Sequence, residues 1–170
     1  MRNLLFLSVL FISITAAAVS AQASDPKAIG TFGKWSAYTF MEDGKKVCYM
    51  AGKPTKEEGK YKKRDDVYVL ITHRPGEGSK NVFSYITGYT YKPTSDAIAT
   101  IGKKSFALFT QNNTAWAPDA QTDNRLAKAI QDGSKMTVVG TSSRGTKTTD
   151  TFSLSGTTSA YKAISKACGL

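Results

Sequence analysis

The stretch Val67–Thr72 (VYVLIT) is an almost continuous apolar run, bounded by charged residues before it and by Pro75 after it. Its length and its β-branched residues favour a buried β-strand over a helix. The next segment, 81–92 (NVFSYITGYTYK), alternates between the two faces of an extended chain. It predicts a second strand, in which Gly88 marks a bulge. These neighbouring strands indicate a mainly β fold.

Further strands are predicted on both sides of this pair. Residues 31–40 (TFGKWSAYTF) and 45–51 (KKVCYMA) flank a Glu-Asp-Gly turn and form a predicted hairpin. Residues 97–101 and 105–110 form another, and residues 135–141 and 148–154 a third. About seven or eight short strands with regular turn signals predict an antiparallel β-sandwich or barrel.

Two helices are predicted to pack on these strands. Thr122 or Asp123 caps the first, over 122–132, and Gly133 is placed to end it. The second, over 157–168, carries an apolar stripe that turns Cys168 inward. With no internal repeat, residues 24–170 are expected to form a single β-rich domain.

The first 23 residues have the features of a secretory signal peptide. Arg2 precedes an uncharged stretch over 4–19, and Ala21 and Ala23 form a cleavage pattern. The stretch is shorter than the 18–20 apolar residues that a membrane span needs, although an uncleaved anchor is the alternative. No other long apolar run follows, so no transmembrane span is expected after cleavage. The sequence predicts export to the periplasm, the outer membrane or cell surface, or the medium.

Cysteine and histidine numbers limit the chemistry. Cys48 and Cys168 form an even pair in a chain predicted to be exported, so one disulfide is expected, with two free thiols as the alternative. Closing a loop of this length stabilises a fold by about 4–5 kcal/mol. One His and two Cys cannot form a four-ligand Cys/His zinc site. No metal and no cofactor are predicted, and the oligomeric state stays open.

The chain is strongly basic, with a formal net charge of +10 that becomes +9 once Arg2 is removed. Most of the basic residues are Lys, whereas base-edge and bidentate phosphate recognition depend on Arg. Specific nucleic-acid binding is therefore not expected, and a protein or an anionic polymer of the envelope or host surface is the predicted partner. A charged loop is predicted over 53–66, and its predicted binding residues are Lys60, Lys62, Lys63 and Arg64.

Two further segments carry candidate binding residues. In the predicted turn of 140–150, Gly145 permits a positive φ and Arg144 projects from the tip. The structural interpretation is a hairpin held by Thr hydroxyls and an Arg144–Asp150 ion pair, and the functional one is a polar contact surface. Trp116 is either a core residue or an exposed anchor, since Trp is enriched at binding hot spots. Trp35 is predicted to lie in the core.

His73 is the only candidate general base. A catalytic interpretation pairs it with Ser142 or Ser143 and with Asp150, although no nucleophile-elbow motif supports that trio. The structural interpretation is a side chain that caps a turn. The favoured hypothesis is an exported, non-enzymatic protein that acts by binding. The alternative is a hydrolase that acts on a cell-wall or host polymer and uses His73.

Several motifs resemble one known family. They occur in the family's order over essentially the whole chain after residue 23: F-G-K-W at 32–35, V-C-Y at 47–49, T-H-R-P at 72–75, F-A-L-F-T at 106–110, T-A-W at 114–116, G-T-S-S-R-G-T-K-T-T-D at 140–150, F-S-L-S-G at 152–156 and A-C-G at 167–169. This pattern is similar to that of the invasion-associated locus B family of exported alphaproteobacterial proteins. The resemblance implies an envelope or secreted protein associated with host-cell entry. It does not supply an enzymatic activity, a cofactor or an active site that could be transferred to this chain.

Overall fold

The fold is an antiparallel β-sheet with two helices, described for residues 23–170 in a computed structural model. The predicted signal peptide therefore lies outside the described residues, except for Ala23. In chain order the strands are β1 Lys27–Phe32, β2 Trp35–Glu42, β3 Lys45–Gly52, β4 Lys56–Gly59, β5 Tyr68–Arg74, β6 Ser79–Ile86, β7 Ala97–Ile101, β8 Lys104–Gln111, β9 Thr114–Trp116, β10 Lys135–Thr141 and β11 Lys147–Ser153. The helices are α1 Ala120–Asp132 and α2 Thr157–Cys168.

The strands form one open sheet in the order β1-β2-β3-β5-β6-β9-β8-β7-β10-β11-β4. Its two halves face each other: the rings of Tyr85 in β6 and Phe152 in β11 pack edge to face at 6.2 Å. The indole of Trp35 in β2 also donates to the carbonyl oxygen of Ser153 in β11 at 2.9 Å. The mainly β, sandwich-like class is confirmed. Within residues 23–170, β1 and β4 are the edges of the sheet and do not pair with each other, so the sheet is not a closed barrel.

The strand number was predicted too low. The segment 31–40 is not one strand, because a turn at Gly33 separates β1 from β2. The charged segment 53–66, predicted to be a loop, contains β4, which pairs with β11. The strand predicted over 81–92 ends at Ile86, and Gly88 lies in a bend beyond it with φ of +70°. Strand β9, with only three residues, was not predicted.

Both predicted helices are present, and only the residues at their ends differ from the prediction. Asp119, and not Thr122 or Asp123, caps α1 by accepting a hydrogen bond from the Thr122 amide at 2.7 Å. The α1 helix does end at Gly133, although this glycine is extended and not left-handed. In α2 the apolar stripe faces inward, and Cys168 is bonded to Cys48 of β3. The predicted disulfide is confirmed.

Alternation within the strands builds the core. In β11 the inward residues Thr148, Asp150 and Phe152 are buried, and the intervening ones are half-buried. Trp35 is 1% exposed, which confirms its predicted place in the core. At about 25 cal/mol per Å² of buried apolar area, a large aromatic side chain such as this stabilises the fold by several kcal/mol.

Candidate functional site

A surface cleft of about 610 Å³ brings three separate segments of the chain together. It is lined by residues 60–65, by residues 88–90 and by residues of the turn and strand over 142–148. This basic cleft contains five of the six residues predicted to bind a partner: Lys60, Lys62, Lys63, Arg64 and Arg144. The 60–65 segment and the turn that carries Arg144 are about 80 residues apart in sequence, so they become neighbours only in the folded chain.

The turn that carries Arg144 is tightly hydrogen-bonded. The Ser142 carbonyl oxygen accepts from the Gly145 amide at 2.8 Å, and the Ser142 hydroxyl accepts from the Thr146 amide at 3.1 Å. Gly145 has φ of +81°, as the sequence predicted for this turn. Residues 88–90 form one wall of the basic cleft, called the 88–90 wall. The turn is attached to this wall because the Ser143 amide donates to the Thr90 carbonyl oxygen at 2.8 Å. Arg144 is left exposed at the tip.

The 60–65 segment is attached to the same wall. The Asp65 amide donates to the Gly88 carbonyl oxygen at 3.1 Å, and Arg64 Nε donates to the Thr87 carbonyl oxygen at 2.6 Å. A Cβ on Gly88 would lie only 2.1 Å from the Asp65 carbonyl oxygen. The close approach of these two backbones therefore requires glycine at position 88, in addition to its positive φ.

A buried ion pair lies beneath the basic cleft. Arg64 Nη1 and Nη2 donate to the two carboxylate oxygens of Asp150 at 2.7 and 2.6 Å. The side chains are 2% and 0% exposed, respectively. Tyr85 donates a further hydrogen bond to Asp150, and the Arg64 guanidinium lies 5.0 Å from the centre of the Tyr89 ring. This bidentate geometry can be made by an arginine guanidinium but not by a lysine ammonium.

These contacts correct two expectations. The predicted Arg144–Asp150 ion pair is wrong, because alternation in β11 points Asp150 into the core while Arg144 lies in the turn beyond the strand. Arg64 was grouped with the exposed binding charges, but its side chain is buried and its donors are taken by Asp150, Thr87 and Tyr85. Arg64 therefore positions the 60–65 segment and does not offer a free charge.

The remaining charges make the basic cleft positive. Lys60, Lys62, Lys63 and Arg144 are all exposed, and of the described residues that line the cleft only Asp65 is acidic. The Tyr89 hydroxyl hydrogen-bonds to the Thr148 hydroxyl at 2.7 Å, and burial raises the pKa of Tyr89. The wall therefore presents a neutral phenol and hydroxyl groups beside four cationic side chains. Such a surface attracts anions.

Tyr61 and Tyr89 were not predicted as part of the site. Both rings face the Arg64 guanidinium, at 5.5 and 5.0 Å from their centres. The sequence does carry one signal for them, since Tyr61 lies within the run of basic residues and Tyr89 follows the glycine that was singled out. The pairing of aromatic rings with a buried guanidinium depends on contacts that are distant in sequence, so this signal was not sufficient.

The remaining predicted residue, Trp116, does not line the basic cleft. It lies in β9, where it is half-buried and opposite Phe109 of β8 and Ser84 of β6. It is thus neither a fully buried core residue nor a fully exposed anchor.

His73 lies in β5, where its side chain is fully buried. Nδ1 accepts a hydrogen bond from the Asn81 amide at 3.1 Å, and Nε2 is 3.2 Å from the Ser165 hydroxyl. Burial lowers the pKa of His73 to about 4, with a further contribution from the positive charge of Lys80. Its hydrogen-bond partners do not include Ser142, Ser143 or Asp150, and Asp150 is bound to Arg64. The trio predicted for the hydrolase alternative is therefore not assembled.

The structure also bears on metal binding and membrane insertion. Within residues 23–170, no three His, Cys, Asp or Glu side chains are grouped so that they could hold a metal ion. In the same part of the chain, no helix has the length and apolar character that crossing a membrane requires. The absence of a cofactor stays a prediction.

Comparison with known proteins identifies the family. Residues 35–165 match the family model described as "Invasion associated locus B (IalB) protein". Searches of curated proteins and of solved structures found no match. The matched range runs from Trp35 in β2 to Ser165 in α2 and includes all three segments of the basic cleft. The protein therefore belongs to the invasion associated locus B family.

Proposed function

We propose that this protein is exported and acts, without catalysis, by binding an anionic partner of the bacterial envelope or host surface through the basic cleft. The observation that carries the proposal is the meeting of Lys60, Lys62, Lys63 and Arg144 around one concave surface. Like charges that line one cleft repel one another, and a ligand that carries negative charge relieves that repulsion. The family, whose name refers to invasion, supports a role in contact with host cells.

Export is supported by the cysteine chemistry. Cys48 is fully buried and Cys168 is 8% exposed, and they form the disulfide that joins β3 to the end of α2. Structural disulfides of this kind form and persist in oxidising compartments. This bond closes a loop with a sequence separation of 120 residues. The proposed site of action is therefore the periplasm or the outer surface.

The test uses charge reversal with a matched control. Heparin and polyphosphate serve as anionic probes, and their binding is measured by isothermal titration calorimetry between 50 and 300 mM salt. The double variant Lys62→Glu/Lys63→Glu and the single variant Arg144→Glu are each expected to weaken binding at least tenfold at low salt. Lys46→Glu makes the same kind of charge change on β3, outside the basic cleft, and is expected to weaken binding less than threefold.

The salt series shows whether exposed charges dominate the affinity. Screening over a Debye length of about 8–10 Å is expected to weaken wild-type binding steadily as salt rises. If Lys46→Glu weakens binding as much as the cleft variants do, the affinity comes from net charge and the proposal fails. If the native partner, captured from the envelope, is retained by the cleft variants at every salt concentration, the proposal also fails.

A further inference from the structure

A second surface lies on the other side of the sheet from the core. Strands β2, β3, β5, β6, β9 and β8 turn one face inward, as shown by the buried side chains of Ala37, Met50 and Ile71. The opposite face is called the outer face here. Most of its side chains are half-buried, and Phe109 is 47% exposed. A phenylalanine this exposed on a sheet face has no role in the core.

The strand register arranges the outer face in three rows. The first row crosses six strands, the second crosses β2, β3, β5 and β6, and the third crosses β5, β6, β9 and β8. None of the side chains in these rows is charged, although 21% of the chain is charged. The rows are Ser36, Ala51, Leu70, Ser84, Trp116 and Phe109; then Tyr38, Tyr49, Thr72 and Val82; then Tyr68, Ile86, Thr114 and Gln111.

Charged residues border these rows but do not interrupt them. Beside the third row, Lys53 and Asp66 form an ion pair at 3.0 Å, and Asp66 accepts a hydrogen bond from Tyr68. Beyond the second row, Arg74 pairs with Glu42. The cations at these borders thus have carboxylate partners, unlike those of the basic cleft. The three rows are therefore an uncharged area that these two ion pairs border.

We infer that the outer face binds a neutral saccharide chain, with Phe109 and Trp116 as the platform on which sugar rings stack. The two aromatic residues are directly opposite each other on β8 and β9, where the side chains of such pairs are neighbours. Aromatic faces carry negative charge density and attract the weakly positive C–H groups of a sugar ring. Hydroxyl and amide groups, here those of Thr114 and Gln111, both donate and accept hydrogen bonds, as sugar hydroxyls require.

Charge argues against a second copy of the chain as the occupant. Two copies, each with a charge of +9 after loss of Arg2, would repel each other. The outer face also continues beyond the three rows onto β7, where Ile98 lies opposite Ala107 of β8 and is 39% exposed. An elongated, uncharged ligand that crosses several strands matches this face without that repulsion.

The test measures sugar binding by the full mature protein. Cellotetraose, chitotetraose and maltotetraose are the neutral probes, and their binding is followed by calorimetry and by tryptophan fluorescence. Trp35 is 1% exposed and hydrogen-bonded in the core, so a fluorescence change on titration reports on Trp116. We expect at least one tetrasaccharide to bind and to shift the emission. We expect Phe109→Ala to weaken that binding about tenfold, as the loss of an anchor residue does.

Controls separate the outer face from the basic cleft. Arg144→Glu is expected to leave tetrasaccharide binding unchanged while it weakens heparin binding, so the two proposals fail independently. Because Phe109 is largely exposed, Phe109→Ala is expected to keep the wild-type thermal midpoint within a few degrees. The inference is overturned if none of the three sugars binds at millimolar concentration, or if binding survives both Phe109→Ala and Trp116→Ala. It is also overturned if sedimentation shows a dimer that Phe109→Lys dissolves.

Discussion

Arg64→Met removes the cation that pairs with the buried carboxylate of Asp150. Both side chains are almost completely excluded from water, at 2% and 0% exposure. Removing one partner of a buried ion pair costs about 3–5 kcal/mol, because the remaining charge has no compensation. Within residues 23–170, Asp150 has no ion-pair partner other than Arg64. We therefore expect Arg64→Met to lower the free energy of unfolding by an amount near the upper end, about 4–5 kcal/mol.

The reciprocal variant, Asp150→Asn, is expected to cost less, about 3 kcal/mol. Arg64 would keep the carboxylate of Glu57, which lies 3.6 Å from Nη1, and the carbonyl oxygen of Thr87. A double variant, Arg64→Met/Asp150→Leu, leaves neither charge buried alone and is expected to regain part of the loss. The asymmetry between the two single variants is the specific consequence of the observed geometry.

The assay is urea unfolding at pH 7 and 25 °C, followed by circular dichroism and fitted with a common slope. Asp66→Asn serves as the control, since it breaks an ion pair whose two side chains are 59% and 69% exposed. We expect no measurable change there, because water screens exposed pairs. A loss below about 1 kcal/mol for Arg64→Met would refute the reasoning. So would an Asp150→Asn variant that is less stable than Arg64→Met.

Two further predictions concern His73 and Gly88. Burial lowers the pKa of native His73 to about 4, below the 6.5 that is usual for an exposed histidine, so the unfolded chain binds an extra proton between these pH values. Stability is therefore expected to fall by up to about 3 kcal/mol as the pH drops from 6.5 to 4. Urea midpoints at half-unit pH intervals test this, and a His73→Gln variant that keeps the full wild-type slope would contradict it. Gly88→Ala is expected to cost about 2–4 kcal/mol, because a Cβ would lie 2.1 Å from the Asp65 carbonyl oxygen and φ is +70°. The control is Gly145→Ala: this position also has a positive φ, but an added Cβ would meet no atom within 4 Å, so the expected cost is only about 1 kcal/mol. Equal thermal midpoints for Gly88→Ala and Gly145→Ala would contradict this explanation.

The sequence was most informative where strands bury one face. In β5 and β10 every second side chain is buried, and the apolar residues of both segments made them recognisable as strands. Strand β4 (KEEG) has no buried side chain, so no alternation marks it. Strand β4 forms because its backbone pairs with β11, where Glu57 lies opposite Asp150. Edge strands of this kind depend on a partner that is distant in sequence, and local patterns cannot show it.

The candidate site could be predicted in part for a similar reason. Charge density identified Lys60, Lys62 and Lys63, and turn chemistry identified Arg144. The segment that carries the lysines is held near the Arg144 turn by the ion pair between Arg64 and Asp150, which are 86 positions apart. Local sequence patterns therefore could not show that the lysines and Arg144 meet. The error over Arg144 has a physical origin, since charge and nearness in sequence favoured it over Arg64. Asp150 lies on the buried face of β11, so it pairs with the buried Arg64 and not with the exposed Arg144.

The electrostatics of the basic cleft separate stability from function. Clustering four exposed cations around one concavity is unfavourable in the free protein, since neighbouring like charges repel. A fold selected for stability alone would disperse them. Instead, a buried Arg64–Asp150 pair and a glycine that admits the Asp65 backbone hold the 60–65 segment against the 88–90 wall. Buried ion pairs seldom stabilise more than well-packed apolar residues do. The clustered cations, together with the ion pair and the glycine that hold their segment in place, therefore support the proposal that an anionic ligand binds in the basic cleft.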